Sequence, residues 1–274
     1  TYSISGASNR ANPFGPVPVV LGKHRVFPPY GAQPYTEILG NDEYLRMLFV
    51  WGYGRLDISD IKIGETLLSS YTDYDIETVE GTSTDADITL IPDIVTQTSV
   101  NVSLTAAGGR VVRTAEAGSD ELSVDIVFPR GLAYFDNNGN RTSYTVSVRV
   151  EYRKVGNLTW ITQHTFTRTD ATSSAIRVGH SWAVDKTKTY EVALTRLTAD
   201  TDDTRTIDDV MWSVLRSIKN DPPVTFPKPL AMTALRIKAT EQLQGVIDSL
   251  NAIVTSYAPT WDAVSGEWTT EESL

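Results

Sequence analysis

The amino-acid sequence predicts a mainly β protein with few helices, made of an irregular β-rich domain and a β-sandwich. Three observations carry this prediction. Apolar and polar residues alternate with a period of two in several runs that are rich in Val, Ile, Thr and Tyr. Clusters of Gly, Asn and Asp separate these runs. Proline is concentrated in two short stretches, residues 12–35 and 222–229.

Composition excludes several classes of protein. Apolar residues make up 41% and charged residues 21% of the 274 positions, which is typical of a folded globular chain. The net charge of -10 repels phosphate backbones, so we expect no tight nucleic-acid binding. The absence of cysteine excludes disulfides and thiolate metal sites. No apolar run approaches the roughly 20 residues that cross a bilayer, so we expect no membrane insertion by this fragment.

The first predicted domain, residues 1–118, is irregular and β-rich. Near its start, the stretch at 12–35, NPFGPVPVVLGKHRVFPPYGAQPY, contains six of the thirteen prolines. Proline fixes φ and lacks an amide donor, so this stretch predicts a shaped connector at the margin of a sheet. Further along, the alternation in LDISDIKI slips near Asp60, which predicts a turn or a bulge there.

The second predicted domain, residues 119–220, is a β-sandwich. Apolar residues alternate through Leu122–Phe128 and, most regularly, through Tyr144–Tyr152. Similar runs follow at intervals of about 12 to 20 residues, which gives about six strands in about 100 residues. We expect Trp160 and Trp212 to fill the core of this sandwich, because both lie within alternating strands.

The remaining residues, 221–274, are predicted to form a proline-rich linker and a partial return segment of the first domain. The linker PPVTFPKP carries four prolines. A strand is expected at 230–240, where Leu235 and Ile237 alternate with a polar residue. At 242–256 helix and strand both stay open, because apolar residues at helical spacing stand beside a glycine and several β-branched residues.

No residue pattern meets the requirements of a catalytic or metal site. Ser181, in GHSWA, lacks the final glycine and the following helix of a nucleophile elbow. His24, His164 and His180 are far apart and lack metal-ligand spacing, so they are interpreted as surface or strand-face residues. The acidic run that begins at Asp200 lacks the glycine and the glutamate that a calcium loop requires. We therefore predict no catalytic residue, no cofactor, no metal and no enzyme activity.

Two tryptophans near the end of the chain are predicted to be exposed contact residues. Trp261 and Trp268 lie in the segment TWDAVSGEW, outside the alternating strands. Exposed indole rings suit either stacking on a sugar or an interface with a further part of the protein. The first amino acid is Thr1, and we expect the sequence to be a piece of a longer protein.

Several segments resemble known families. The central strand pair of fibronectin type III modules is similar to SYTVSVRVEYRKVGNLTW, and their Tyr-x-Val strand is similar to KTYEVALTRL. The tail tip proteins of long-tailed bacteriophages, the host-specificity or tip attachment proteins of the lambda J type and their prophage copies, resemble this chain over most of residues 10–256. The matching stretches are, in order, ANPFGPVPVVLGKHRVFPPYGAQPY, LRMLFVWGYGRLDISDIKIGET, VDIVFPRGL and PPVTFPKPLAMTALRIKATEQLQG.

This resemblance implies a structural role. It implies a fragment of a hub at the distal end of the tail, in which fibronectin type III-like domains are inserted into or appended to a β-rich hub core. The implied partners are two further copies in a homotrimer of the full-length protein, other tail tip proteins and tail tube proteins. The implied place is the virion tail, assembled in the bacterial host cytoplasm, and the implied function is tail assembly, host attachment and genome delivery. Two alternatives stay open, a carbohydrate-binding surface module or adhesin and a glycan hydrolase.

Overall fold

The computed structural model describes residues 8–12, 15–92, 94–220, 229–240, 243, 247–258, 261–268 and 272–273. Strands dominate this part of the chain, and the helical structure described in it is one 3-10 turn, Leu68–Ser70. The prediction of a mainly β fold with few helices is confirmed. Most of the predicted linker, and residues 242 and 244–246 of the ambiguous segment, lie outside the described residues.

The strands are numbered in chain order. They are β1 (Lys23–Val26), β2 (Tyr35–Leu39), β3 (Asp42–Tyr53), β4 (Leu56–Ile63), β5 (Thr66–Leu67), β6 (Tyr74–Glu80), β7 (Ile94–Ser103), β8 (Arg110–Thr114), β9 (Glu121–Phe128), β10 (Ala133–Phe135), β11 (Arg141–Thr142), β12 (Tyr144–Lys154), β13 (Ile161–Asp170), β14 (Ile176–Ala183), β15 (Tyr190–Arg196), β16 (Thr206–Ile207), β17 (Met211–Lys219), β18 (Leu230–Lys238), β19 (Leu250–Ala258), β20 (Trp261–Asp262), β21 (Glu267–Trp268) and β22 (Glu272–Ser273).

The chain folds into two units. Unit 1 comprises Thr1–Glu37, Glu43–Ile91 and Pro222–Leu274, and unit 2 comprises Ile38–Asp42 and Pro92–Asp221. Unit 2 therefore interrupts unit 1 in the sequence.

Unit 1 contains two antiparallel sheets that share one hydrophobic core. One sheet has the order β2-β3-β18-β6, and the other has the order β1-β19-β4-β5, with β22 also beside β19. Strand β18 places Leu235 opposite Met47 on one side and Ile76 on the other. Both sheets thus take a strand from the chain that follows unit 2. Side chains from both sheets form the core, among them Met47, Phe49, Trp51, Leu56, Leu235, Leu250 and Val254.

The proline-rich connector lies beside β3, where it completes hydrogen bonds through its carbonyl groups. The amide of Tyr53 donates to the Pro18 carbonyl at 3.2 Å, and the amide of Val50 donates to the Pro29 carbonyl at 3.0 Å. A proline nitrogen cannot donate, but its carbonyl remains a full acceptor. Within this connector Val20 enters the core, whereas Val19 and Leu21 are exposed.

Unit 1 contains the predicted irregularity near Asp60 and the strand expected at 230–240. Asp60 has a φ of 52°, and the register of β19 against β4 shifts between Asn251 and Ile253, so the bulge predicted near Asp60 is confirmed. The strand expected at 230–240 is β18. In the ambiguous stretch, residues 250–256 belong to β19, which pairs with β1 and β4.

Unit 2 is a β-sandwich. Its sheets have the orders β14-β9-β17-β7 and β13-β12-β15-β8, and a small sheet, β11-β10-β16, lies beside them. Apolar residues from both large sheets form the core, including Leu122, Val124, Ile126, Phe128, Val146, Val148, Val150, Val192, Leu194, Trp212 and Leu215. Strands β7 and β8, whose residues fall within the predicted first domain, pair with β17 and β15 of this sandwich. Both are edge strands with mostly exposed or half-buried side chains, so their alternation is weak.

Candidate functional site

The motif around Ser181 is ordinary strand structure. Ser181 lies inside β14 opposite Ser123, and the strand continues to Ala183 without the sharp turn of a nucleophile elbow. Gly179 has a packing role instead. Its amide donates to the Gly40 carbonyl at 3.0 Å, and a Cβ at this position would lie 2.2 Å from the Ile38 carbonyl oxygen.

Two of the three histidines meet in space. The rings of His164 on β13 and His180 on β14 are stacked, with centroids 4.2 Å apart and planes at 13°. The third, His24, lies on β1 and contacts the Leu21 carbonyl at 2.7 Å. Sequence spacing gave no sign of the stacked pair, because the two rings come from different sheets. Within the described residues no group of three or more His, Asp or Glu side chains is arranged to hold a metal ion.

The acidic run that begins at Asp200 braces a loop of unit 2. The Asp200 carboxylate accepts from the amides of Ala106 and Ala107 at 2.8 and 2.9 Å. These hydrogen bonds, with a smaller contribution from the Arg196 charge, lower the pKa of Asp200. Asp208 forms an ion pair with the buried Arg196, and Asp203 pairs with Arg205. The carboxylates of this loop therefore hold amides and guanidinium groups.

The two predicted contact tryptophans are neighbours along a short hairpin. Trp261 in β20 pairs across the strands with Trp268 in β21. The Trp261 side chain is 54% exposed. The side chain of Trp268 lies outside the described part of the chain. A contact role for the two residues stays a prediction.

A more exposed apolar surface lies at the turn between β12 and β13 in unit 2, which we call the hairpin tip. Leu158 is 92% exposed, and Val155 and Ile161 are each 52% exposed. Gly156 allows this turn, because its φ of 89° lies in the left-handed region that other residues avoid. Three exposed apolar side chains within seven residues are the kind of surface that a protein partner covers.

An arginine network fixes one side of the hairpin tip. The Arg153 and Arg110 guanidinium groups lie over the Trp160 ring, 4.3 and 4.8 Å from its centroid. Arg110 also donates to Glu151 at 2.8 Å, and Arg153 donates to Glu191 at 2.7 Å. These contacts restrain both the sheet and the loop that follows it.

The expected core role of Trp160 was wrong, because this residue precedes β13 and stacks against arginines instead of entering the core. The same prediction for Trp212 is confirmed, since its side chain is fully buried. Alternation places a residue on a face only while the strand continues, and Trp160 lies just outside the strand.

A second exposed apolar surface belongs to unit 1. Val19 and Leu21 are 68% and 72% exposed, and Tyr53, whose backbone is bonded to Pro18, is 43% exposed. Close to the end of this connector, the Gly22 amide donates to the Ser256 hydroxyl at 2.8 Å. No helix of the described chain has the length and apolar character needed to span a membrane.

Comparison with known proteins gives one family match. Residues 94–221 match the family model described as tip attachment protein J, FNIII-A domain. No curated protein matches the chain. Among solved structures, a carbohydrate binding module from glycoside hydrolase family 9 (Cel9A) of Ruminococcus flavefaciens FD-1 aligns with 44% of this chain and 95% of its own, at 10% identity and a TM-score of 0.26. A TM-score of that size supports no conclusion about fold or function.

Proposed function

Because residues 94–221 are an FNIII-A domain of the tip attachment protein J family, we propose that this chain is a non-enzymatic structural module of a phage tail tip, acting in tail assembly, host attachment and genome delivery. The family is one of structural tail proteins and implies a location in the virion tail. The single observation that carries the proposal is this match, which spans the strands of both large sheets of unit 2.

The structure supports a scaffolding role in two ways. Asp200, in the run that resembled a calcium loop, accepts hydrogen bonds from backbone amides, and Gly179, in the motif around Ser181, bonds to Gly40 within the same unit. Exposed apolar side chains are grouped at the hairpin tip and at the connector residues Val19 and Leu21, where protein neighbours would cover them. We propose as partners two further copies in a homotrimer of the full-length protein, together with other tail tip and tail tube proteins, after assembly in the host cytoplasm.

Localisation in the virion tests this function directly. Antibodies raised against the 274-residue chain should label the distal end of the tail in electron micrographs of phage particles that carry the full-length protein. Particles without the gene should lack both the label and a complete tip. Labelling of the head, or unlabelled tails with normal tips, would refute the proposal.

The hairpin tip offers a sharper test of the assembly role. Leu158→Asp in the full-length protein should lower the yield of complete tails at least tenfold, because a charge would be buried in the contact. Leu197→Asp is the matched control, since Leu197 is 46% exposed elsewhere in unit 2. Amide hydrogen exchange of the isolated chain should be unchanged in both variants. Equal tail yields from the two variants would remove the hairpin tip from the assembly surface.

The carbohydrate-binding alternative makes a different prediction, based on the exposed Trp261. It requires saturable binding of a host oligosaccharide that Trp261→Ala abolishes, and the hydrolase alternative requires turnover of host glycans. We expect neither in calorimetric titrations and product assays with host cell-wall and surface glycans.

A further inference from the structure

The stacked histidines join the two sheets of unit 2 at one side of the sandwich. Strand β13, with His164, ends one sheet, and strand β14, with His180, ends the other. Phe166 meets His164 edge-on at 4.6 Å, and Trp182 stacks on His180 at 5.9 Å. Tyr152 on β12 completes the group by packing against Trp182 at 5.9 Å. This row of rings spans the gap between the two edge strands.

The surroundings of the pair favour neutral imidazoles. Val150 lies opposite His164, and Val124 lies opposite His180. In the described chain the buried Nε2 atom of His180 has no hydrogen-bond partner. A buried nitrogen among aromatic rings is costly to protonate, because nothing replaces the water that would solvate the charge.

The charged side chains on the neighbouring strands form ion pairs with each other or lie on the opposite faces of the sheets. On β13, Arg168 pairs with Asp170 at 2.7 Å. On β12, Arg149 and Glu151 lie on the opposite face, where Glu151 binds Arg110. Asp125 on β9 and Arg177 on β14 lie on the other face of the second sheet, and Asp125 binds Arg216. Tyr152 on β12 is also titratable, and its ring packs against both Trp182 and Tyr190.

Burial lowers the pKa of His164 and of His180, and the charge of His164 lowers that of His180 further. A histidine whose pKa is lower in the folded state than in the unfolded state contributes its full stabilisation at pH values above its unfolded pKa, about 6.5. That contribution is lost as the pH falls below this value. Two imidazolium rings at 4.2 Å would also repel each other, because their charges have the same sign. No carboxylate in the described chain pairs with either ring to offset this repulsion.

We propose that the His164–His180 stack is an acid-sensitive closure of the sandwich, which holds the edge strands β13 and β14 together at neutral pH and releases them in acid. Release separates β13, a ten-residue edge strand whose outer side chains are mostly threonines, from the edge of the other sheet. The inference concerns unit 2 alone and does not depend on the function proposed above.

Hydrogen exchange of the full chain tests the closure. At pH 5.0, after correction for the intrinsic exchange rate, amides of β13 and β14 should exchange about tenfold faster than at pH 7.5. Amides of β3 in unit 1 should keep their protection. The acid effect should disappear in the His164→Gln/His180→Gln variant and persist in the control His24→Gln.

Equal protection of β13 at the two pH values in the unmodified chain would overturn the proposal, as would an acid effect that survives in the double variant. If the double variant does not fold, the imidazole signals of the unmodified chain decide by NMR titration. Midpoints below about 6.5 for His164 and His180 support the closure, and midpoints at or above that value refute it.

Discussion

Arg216 on β17 and Asp125 on β9 form a buried bidentate ion pair in unit 2. Arg216 Nη1 donates to Asp125 Oδ1 at 2.7 Å, and Nη2 lies 2.5 Å from Oδ2. Each side chain is 4% exposed. The pair joins two central strands on the face of the sheet that points away from the apolar core. Each charge therefore depends on the other for the solvation it loses on folding.

Removing one partner of this pair should destabilise unit 2 strongly. We expect Arg216→Met to cost about 3–5 kcal/mol, because the Asp125 carboxylate loses its bidentate partner while staying buried. The free energy of opening, measured by hydrogen exchange of the β9 amides, reports this cost. Arg130→Met is the matched control, since Arg130 and its partner Asp209 are 67% and 48% exposed, and it should cost less than about 1 kcal/mol. Equal costs for the two variants would show that burial adds nothing to the pair.

Two glycines of unit 2 have similar positive φ values but different surroundings, so substitutions at them distinguish the cost of backbone strain from the cost of steric contact. Gly131 and Gly139 have φ values of 78° and 80°. A Cβ on Gly131 would lie 2.2 Å from the Thr172 carbonyl oxygen, whereas nothing lies within 4 Å of one on Gly139. We expect Gly139→Ala to cost about 1 kcal/mol through its positive φ alone. Gly131→Ala should cost about 3 kcal/mol or more in the same exchange measurement, because two backbone segments must move apart. Similar costs at the two positions would contradict the close approach.

A carboxylate in unit 1 holds the segment that follows β6. Glu77 accepts from the Thr89 amide and hydroxyl, each at 2.7 Å, and from the Leu90 amide at 2.8 Å. The Leu90 carbonyl in turn accepts from Arg46, which also pairs with Glu37 at 2.7 Å. Burial acts to raise the pKa of Glu77, but the hydrogen bonds from Thr89 and Leu90, with the Arg46 charge, together lower it below its ordinary value.

This clamp should weaken in acid and in a neutral variant. A lowered carboxyl pKa means that the stabilisation is present above the unfolded value, about 4.3, and is lost as the pH falls through the folded value. Exchange of the Thr89 and Leu90 amides should therefore accelerate below about pH 4.3. At pH 7, Glu77→Gln should accelerate it about tenfold, since a neutral amide is a weaker acceptor. Glu80→Gln, at an exposed residue at the end of the same strand, should leave these amides unchanged, and an equal effect would argue against the clamp.

The sequence predicted the strands whose two faces differ in polarity. Leu122–Phe128 and Tyr144–Tyr152 are β9 and most of β12, and the slip near Asp60 is a bulge. Alternation works here because one face of each strand is buried in a single core, so each local position has a fixed environment. The long motifs also carried the family prediction, which the match over 94–221 confirms.

The partners of these strands were decided only by the tertiary structure. Leu235 lies opposite Met47, and β7 and β8 pair with strands of unit 2. These pairings depend on how whole sheets pack, so the residues near each strand in the sequence do not indicate them. The stacking of His164 on His180 and of Trp160 on two arginines arises in the same way. The period of a sequence determines the side of the strand to which a residue points. What the residue contacts there depends on how separate sheets pack. In this protein that packing creates the histidine stack proposed to respond to acid and the hairpin tip proposed to contact partners.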